Sequence, residues 1–367
     1  MYTHEQLCRL WLAFSDSLTY KGKEPLLAQY GSAAEAFSSF SPSLLELVGS
    51  KAYEELFMLR NRGLDALEEL LASSGIQVLF SDDSSFPALL REIIDPPDLL
   101  FYRGTMDNPR EKAIAIIGSR RETRYGREQA KRIAFDLTKH GISIISGLAY
   151  GIDFAAHQGA LEAGGRTVAV LGSGLDNIYP KDHIPLAEKI VHNGGAVISE
   201  LPPASQPLAY HFPFRNRIVS GLSQGVLLVE AREKSGTLIT VGHALAQGRD
   251  VFALPGPVDA PGSIVPHRFL REGARLVTCG QDILEDMGWD AKEEQLAMPM
   301  ANPLPDLTNL QRKIYDALCG ESQSFENLLT ITGLSASELN TQLVILEMQG
   351  VTDTLPGRQY RLHQAKP

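Results

Sequence analysis

The sequence predicts an α/β protein built on a doubly wound, mostly parallel sheet, with a helical segment before it and a winged helix after it. Three observations carry this prediction. Six short apolar runs rich in β-branched residues (AIAIIG, ISIIS, TVAVLG, AVIS, GVLLVE and DVFALP) follow one another between residues 113 and 255. Each is bounded by glycine or proline, and continuous apolar runs of this kind are strands buried on both faces, hence parallel. The stretches between them, such as GREQAKRIAFDLTKHG, carry apolar residues at helical spacing. Strand and helix alternate, which is the pattern of an open sheet covered on both sides.

In chain order, residues 1–75 read as short helices, among them HEQLCRLWLAF and KAYEELFMLRNRGLDALEELLASSG. At 76 the character changes. IQVLF reads as a strand, and PPDLLFYRG as a second one entered through prolines. Residues 76–289 then form the Rossmann-like domain. Residues 290–306, DAKEEQLAMPMANPLPD, are proline-rich and charged and read as a linker. Residues 307–367 give three helices and then VTDTLPGRQYRL, a hairpin around Pro356-Gly357. That order is a winged helix-turn-helix.

A chain of 367 residues accommodates two or three domains. Its three cysteines, Cys8, Cys279 and Cys319, lie far apart and match no zinc or redox spacing, which points to a reducing compartment. The opening MYTHEQLCRLW lacks the basic start and apolar run of a signal peptide, and no apolar stretch approaches membrane-spanning length. A cytoplasmic location is the expectation. The net charge of −10 argues against nucleic acid only until it is resolved along the chain. Residues 112–282 hold 19 Lys+Arg against 15 Asp+Glu, and the rest hold 15 against 29. A mildly basic middle is flanked by acidic ends, and phosphate responds to the local field.

Ligands of a parallel sheet sit beyond the carboxyl ends of its strands. Four glycine-rich turns fall there: Gly118-Ser119-Arg120, Ser146-Gly147-Leu148-Ala149, Gly172-Ser173-Gly174 and Ser235-Gly236-Thr237. Each can aim amide hydrogens and a hydroxyl at an anion, with a helix N-terminus behind. A dinucleotide site is excluded. In GSGLDN, Asn177 stands where the third glycine belongs, and Val191-His192 stand where the ribose-binding acid belongs. No cofactor is expected.

The basic residues point to a polynucleotide. The segment after Gly118 carries Arg120, Arg121, Arg124, Arg127, Lys131, Arg132 and Lys139 against Glu122, Glu128 and Asp136. Arg120 and Arg124 share a helical face, as do Arg124 and Arg127. Lys181 follows Tyr179-Pro180, and Arg215 and Arg217 flank Asn216 beside Tyr210, Phe212 and Phe214. Guanidinium groups suit the phosphates of a single strand, and rings offer its bases a stacking platform. A solvated arginine surface over core phenylalanines would give the same spacing.

The motifs AIIGSR, SGLAYGIDFAAH, TVAVLGSGLDNIYP, SELPP, FPFRNRIVSGLS, LLVEAREKSGTLIT, GRDVFALPG and FLREGA occur in this order. In them the chain resembles the DNA-processing protein A (DprA/Smf) family from residue 76 to about 285. The flanks resemble the family's sterile-alpha-motif-like (SAM-like) helical domain and winged helix. The resemblance implies a non-enzymatic protein of natural transformation. Such a protein binds and protects incoming single-stranded DNA, helps load the RecA recombinase and works as a homodimer without nucleotide or metal. It implies a DNA site made of Gly118, Ser119, Arg120 and Arg124, with Lys181, Arg215, Asn216 and Arg217 in the same pocket. Ser146, Gly147, Gly172, Gly174, Ser235, Gly236 and Thr237 would supply donors, and a ring from Phe212 or Tyr210 would stack on a base. His267, Phe269 and Leu270 would lie near the dimer contact or the RecA-facing surface. There the chain reads Val265-Pro266-His267 where many members read Gly-x-Asn. In front, TYKGKEP has a single glycine where many relatives carry a glycine hairpin, and residues 1–75 hold 6 basic against 10 acidic side chains. No DNA contact is expected from that segment.

Two enzyme readings compete. A phosphoribohydrolase of the lysine-decarboxylase-like type shares the fold, but Thr240 stands where its glutamate base belongs. A threonine is no general base at neutral pH. Asp153 and His157, four apart, have the spacing of a metal pair or an acid–base pair. The structural alternative is that Asp153 caps a helix and His157 packs beneath the turn. Glu200 and Glu230, at strand ends, either contribute to the site or orient Arg215 and Arg217. The third helix of the winged helix, SASELNTQLVILEMQG, holds Glu338 and Glu347 and no lysine or arginine. A reader of duplex DNA needs cations there. A protein contact, or help with double strands, is the expectation.

Overall fold

Strands that bury both faces force the chain to cross over between them, and the crossovers cover the sheet. The computed structural model describes residues 2–18, 20–106, 112–233, 235–289, 307–318, 322–349, 351–355 and 357–362. The expected linker, 290–306, lies outside the described residues. The chain divides into two compact units, Met1–Asp290 and Ala291–Pro367.

The first unit begins with six helices: α1 (His4–Ala13), α2 (Tyr20–Tyr30), α3 (Ala33–Ser38), α4 (Leu44–Val48), α5 (Ser50–Arg62) and α6 (Leu64–Ser74). Then come β1 (Gln77–Phe80), α7 (Ala88–Arg91) and β2 (Leu99–Gly104). The alternating part follows as β3 (Ala113–Ile117), α8 (Arg124–Lys139), β4 (Ser143–Ser146), α9 (Ile152–Glu162) and β5 (Thr167–Val170). It continues through α10 (Ile184–His192), β6 (Ala196–Ser199), α11 (His211–Gly221), β7 (Gly225–Leu228) and α12 (Thr237–Ala246). It closes with β8 (Asp250–Ala253), α13 (Ile264–Arg271), β9 (Arg275–Leu276) and α14 (Gly280–Asp286).

The nine strands form one sheet in the order β1-β2-β6-β5-β4-β3-β7-β8-β9. Strands β3 to β9 pair in parallel, and β2 pairs antiparallel with both β1 and β6. The segment β5-β4-β3-β7-β8-β9 has the order of a dinucleotide-binding sheet, and its direction of travel reverses between β3 and β7. The short β9 has no apolar run to announce it. It pairs through Phe252 and Ala253 of the already apolar β8.

The pleat decides which core each residue joins. In β3, Ala113, Ala115 and Ile117 face one apolar cluster, and Ile114 and Ile116 face another with Ile133, Leu137 and Ala156 of α8 and α9. The N-terminal helices share a third cluster with the sheet side, where Leu10, Trp11 and Leu56 join Phe101, Ala169 and Val197. Trp11 is fully buried and donates its indole N–H to the Leu56 carbonyl at 2.8 Å.

The second unit contains α15 (Asn309–Leu318), β10 (Gln323–Ser324), α16 (Phe325–Thr332), α17 (Ala336–Met348), β11 (Thr352–Leu355) and β12 (Gln359–Leu362). Strand order β10-β12-β11 completes the winged helix around Ile314, Leu328, Leu339, Leu343 and Leu346. Glu338 closes a capping box with Ser335 at the start of α17. The acid noted on this helix therefore serves its own N-terminus.

One buried carboxylate sets the entry into α8. Glu230, just past β7, accepts from the Thr123 amide at 2.9 Å and from the Thr123 hydroxyl, and Thr123 caps α8 by accepting from the Gly126 amide at 3.1 Å. A methyl group at Gly126 would overlap the Glu230 carboxyl. Gly126→Ala should therefore lower the unfolding free energy by about 1–3 kcal/mol, read as a shifted denaturant midpoint.

Candidate nucleic-acid interface

Where strand order reverses, the turns leaving neighbouring strands diverge and open a crevice. Here that crevice is a cavity of about 740 Å³. Ile117 to Arg121 line it from the turn after β3, and Gly147, Ala149 and Asp153 from the segment after β4. Tyr179 enters after β5, Phe212, Arg215 and Asn216 come from α11, and Arg232 and Ser235 to Thr237 follow β7.

Cross-links hold these turns. The Ser235 hydroxyl donates to Thr237 Oγ1 at 2.8 Å, and Thr237 Oγ1 donates to the Gly118 carbonyl at 3.1 Å. Gly151, at φ +84°, lets the segment after β4 press on the Ser119 carbonyl, which accepts from the Ile152 amide at 3.1 Å. Leu148 holds the left-handed conformation at φ 58° without being glycine. Its neighbours secure it. Asp153 Oδ2 accepts from the Gly147 and Ala149 amides at 3.1 and 3.3 Å, and His183 Nδ1 donates to the Leu148 carbonyl at 2.8 Å.

Arg215 forms the floor. It is only 6% exposed, and its Nη1 donates to the carbonyls of Gly147, at 2.8 Å, and Val170. A side chain at Gly147 would collide with Arg215 Nη2 and Asp153, so glycine there lets both reach the floor. Burial lowers the Arg215 pKa to about 10, opposed by the Asp153 carboxylate and helped by Arg120. It stays charged at neutral pH. Burial pushes the Asp153 carboxyl up, against the pull of Arg215 and of the two amides.

Phe212 sits at the wall, half-buried, with its ring against Gly172. The Arg120 guanidinium lies 5.4 Å from the ring centroid, and Tyr179 meets the ring edge-on at 5.9 Å. Arg120 and the neighbouring Arg121 and Arg232 are exposed and have no carboxylate partner among the described residues. The amides of Ser119, Arg120 and Gly236 likewise have no acceptor there. The rim offers cations, free amides and two rings. That set can hold an oxyanion and a planar group together.

The structure brings Gly118, Ser119, Arg120, Gly147, Phe212, Arg215, Asn216, Ser235, Gly236 and Thr237 to one cavity. Several of the other expected residues have different tasks. Arg217 is 2% exposed and bonded to Glu200 at 2.8 Å and Asp95 at 3.0 Å, with the Phe214 ring 4.0 Å from its guanidinium. Two residues apart on a helix point nearly opposite ways, so Arg215 and Arg217 cannot share a pocket. Arg124 is turned to solvent and paired with Glu128 at 2.7 Å. Ser146 is fully buried and donates to the Ile116 carbonyl at 2.7 Å. The Gly174 amide is bound to the Ser205 carbonyl at 2.9 Å, and Gly172 is the seat of the Phe212 ring. Lys181 is exposed on the 3-10 turn Lys181–His183, outside the cavity wall that Tyr179 joins. Tyr210 is 65% exposed and does not line the cavity. Phe269 is buried in the core at 8% exposure, Leu270 is half-buried, and His267 Nε2 accepts from the Gly256 amide at 3.3 Å. These three offer less surface to a partner than their sequence position implied.

Asp153 supports the preceding loop instead of capping α9, whose cap is Gly151. His157 is fully buried, and its Nδ1–H donates to Thr167 Oγ1 at 2.7 Å, because that hydroxyl spends its own hydrogen on the Ile144 carbonyl. Glu200 pairs with Arg217, whereas Glu230 holds Thr123. Among the described residues no group of three His, Cys, Asp or Glu side chains is placed to hold a metal, and no helix is long and apolar enough to cross a membrane. Arg121, Arg232 and Tyr179 are among the cavity residues that sequence reasoning did not name as site members. Arg121 was counted among the basic residues after Gly118, and the signal for Arg232 was its position within a turn.

Residues 77–288 match the family described as DNA recombination-mediator protein A, and residues 298–358 match the DprA winged helix domain. Protein Smf of Escherichia coli strain K12 is 40% identical over 295 residues, covering 78% of this chain and 77% of its own. The X-ray structure of DNA processing protein A from Streptococcus pneumoniae superposes with a TM-score of 0.64 at 34% identity, covering 78% of this chain and 98% of that one. The DNA processing protein A of Helicobacter pylori, whose structure is described by its single-stranded DNA binding mode, superposes with a TM-score of 0.52 at 29% identity. It covers 59% of this chain and 96% of that one.

Burial, with His183 and Arg215 nearby, lowers the His157 pKa from 6.5 to about 3. The folded state then binds fewer protons than the unfolded chain between those values. The contribution of His157 is complete above pH 6.5 and falls away as pH drops toward 3. His157→Gln should flatten the decline of unfolding free energy on acidification over that window, measured by urea titration at stepped pH.

Proposed function

Because the chain belongs to the DNA recombination-mediator protein A family, a family of mediators and not of enzymes, we propose that it binds single-stranded DNA at the cavity between β3 and β7. In this role it processes DNA for transformation and recombination. The observation that carries the reading is the rim itself. Unpaired guanidinium groups and free amides stand beside the Phe212 and Tyr179 rings at the switch point of the sheet. The single-stranded DNA binding of the Helicobacter pylori relative supports it.

The backbone of the strand lies across the rim, and its phosphates meet Arg120 and the amides of Ser119, Arg120 and Gly236. A dinucleotide would need more glycine and fewer cations at the same turn. Thr240 lines the cavity where a phosphoribohydrolase would carry its glutamate, so the wall has no base at that position. We extend the proposal to a cytoplasmic homodimer that delivers the strand to RecA, as the family resemblance implies. Light scattering tests the dimer, and RecA filament assembly on covered strands tests the delivery.

The DNA reading has a direct measurement. With about six phosphates neutralised, log K for a single-stranded oligonucleotide should fall with log salt at a slope near −4. Arg120→Ala should weaken binding about tenfold with the unfolding midpoint unchanged. A flat salt response, or unaltered affinity in that variant, would remove the cavity from the DNA path.

A further inference from the structure

The basic side chains around the cavity sort by what already occupies them. On α8, Arg127 is bonded to Glu122 at 2.5 Å, Lys131 to Glu162 at 2.7 Å and Arg124 to Glu128 at 2.7 Å. Arg132 gives its Nη2 to the Thr278 carbonyl and to Gln129. Arg217 is locked between Asp95 and Glu200. Arg215 is the buried floor, and Arg120 lies against the Phe212 ring. Two arginines on the cavity wall remain with neither ring, carboxylate nor carbonyl among the described residues: Arg121 and Arg232.

These two come from different turns that are tied together. Arg121 leaves the turn after β3, where its amide donates to Ser119 Oγ at 3.0 Å. Arg232 leaves the turn after β7, where its carbonyl accepts from the Ser235 amide at 3.0 Å. The Thr237 to Gly118 bond joins the two turns, and β3 and β7 pair directly. Guanidinium groups with no carboxylate partner at one mouth repel each other, and an anion between them relieves that repulsion. The ends of β5, β4, β3 and β7 stand side by side over about 14 Å, which leaves room for more than one phosphate along the rim.

We infer that Arg121 and Arg232 form a second cationic jaw at the β7 side of the cavity, taking the phosphodiester next to the one held at Arg120. The inference rests on the reading of the cavity as a single-strand site. It makes the pair part of the phosphate track, and it makes the arginines of α8 solvated surface.

The test uses the full chain and a labelled oligothymidylate, read by fluorescence anisotropy across a salt series. Each of Arg121→Ala and Arg232→Ala should weaken binding about tenfold at low salt. Each should reduce the steepness of log K against log salt by about 0.7, and the double variant by about 1.4. Replacing both with lysine should keep the slope, because it keeps the charges. Arg124→Ala should leave affinity and slope unchanged. All these side chains are exposed, so the unfolding midpoint should not move. A double alanine variant with the parent slope would overturn the inference. If Arg120→Ala were weakened in the same series, the cavity would still be the strand site and the jaw alone would fail. Failure of the parent chain itself to bind the oligonucleotide would remove both.

Discussion

A parallel sheet ends in carbonyl groups to which no further strand donates, and in this protein a buried arginine gathers two of them. The Arg215 guanidinium donates to the Gly147 and Val170 carbonyls of the segments that leave β4 and β5. Its charge is tolerable there because oxygen atoms surround it and Asp153 stands near. Asp153 in turn gathers the Gly147 and Ala149 amides. One guanidinium and one carboxyl group thus order the backbone beneath the cavity, and the rim depends on that floor.

The rim carries arginines with no carboxylate partner among the described residues, so an acidic chain can still present a cationic surface at one place. The net charge of −10 is a property of the whole. The field at the mouth is set by which arginines lack a carboxylate within reach, and those lie on the turns after β3 and β7. Helix α8 looks more basic in the sequence, yet its Arg124, Arg127 and Lys131 are paired with Glu128, Glu122 and Glu162. Density of basic residues and availability of charge are different quantities.

The winged helix shows the complementary case. Its recognition-position helix α17 carries Glu338 as an internal cap and has no lysine or arginine. A helix built this way offers phosphate no cationic side chain. The N-terminal helices serve the sheet by burial, since Leu10, Trp11 and Leu56 share a cluster with Ala169 and Val197.

The α/β class, the strands that bury both faces, the winged-helix order and the glycine turns that line the cavity can all be read from the sequence. They can because strand periodicity, helix periodicity and glycine turns are local properties. Only the tertiary structure decided which residues of those turns are free. Ser146, Gly174 and Arg217 match the expected pattern in type, and each is consumed by a partner far away in the chain: the Ile116 carbonyl, the Ser205 carbonyl, and Asp95 with Glu200. Arg121 and Arg232 gained their place for the opposite reason, because among the described residues neither has a carboxylate partner. Pairing depends on distance between elements that the chain order does not encode locally, and the short β9, recruited by an existing apolar edge, escaped notice on the same ground.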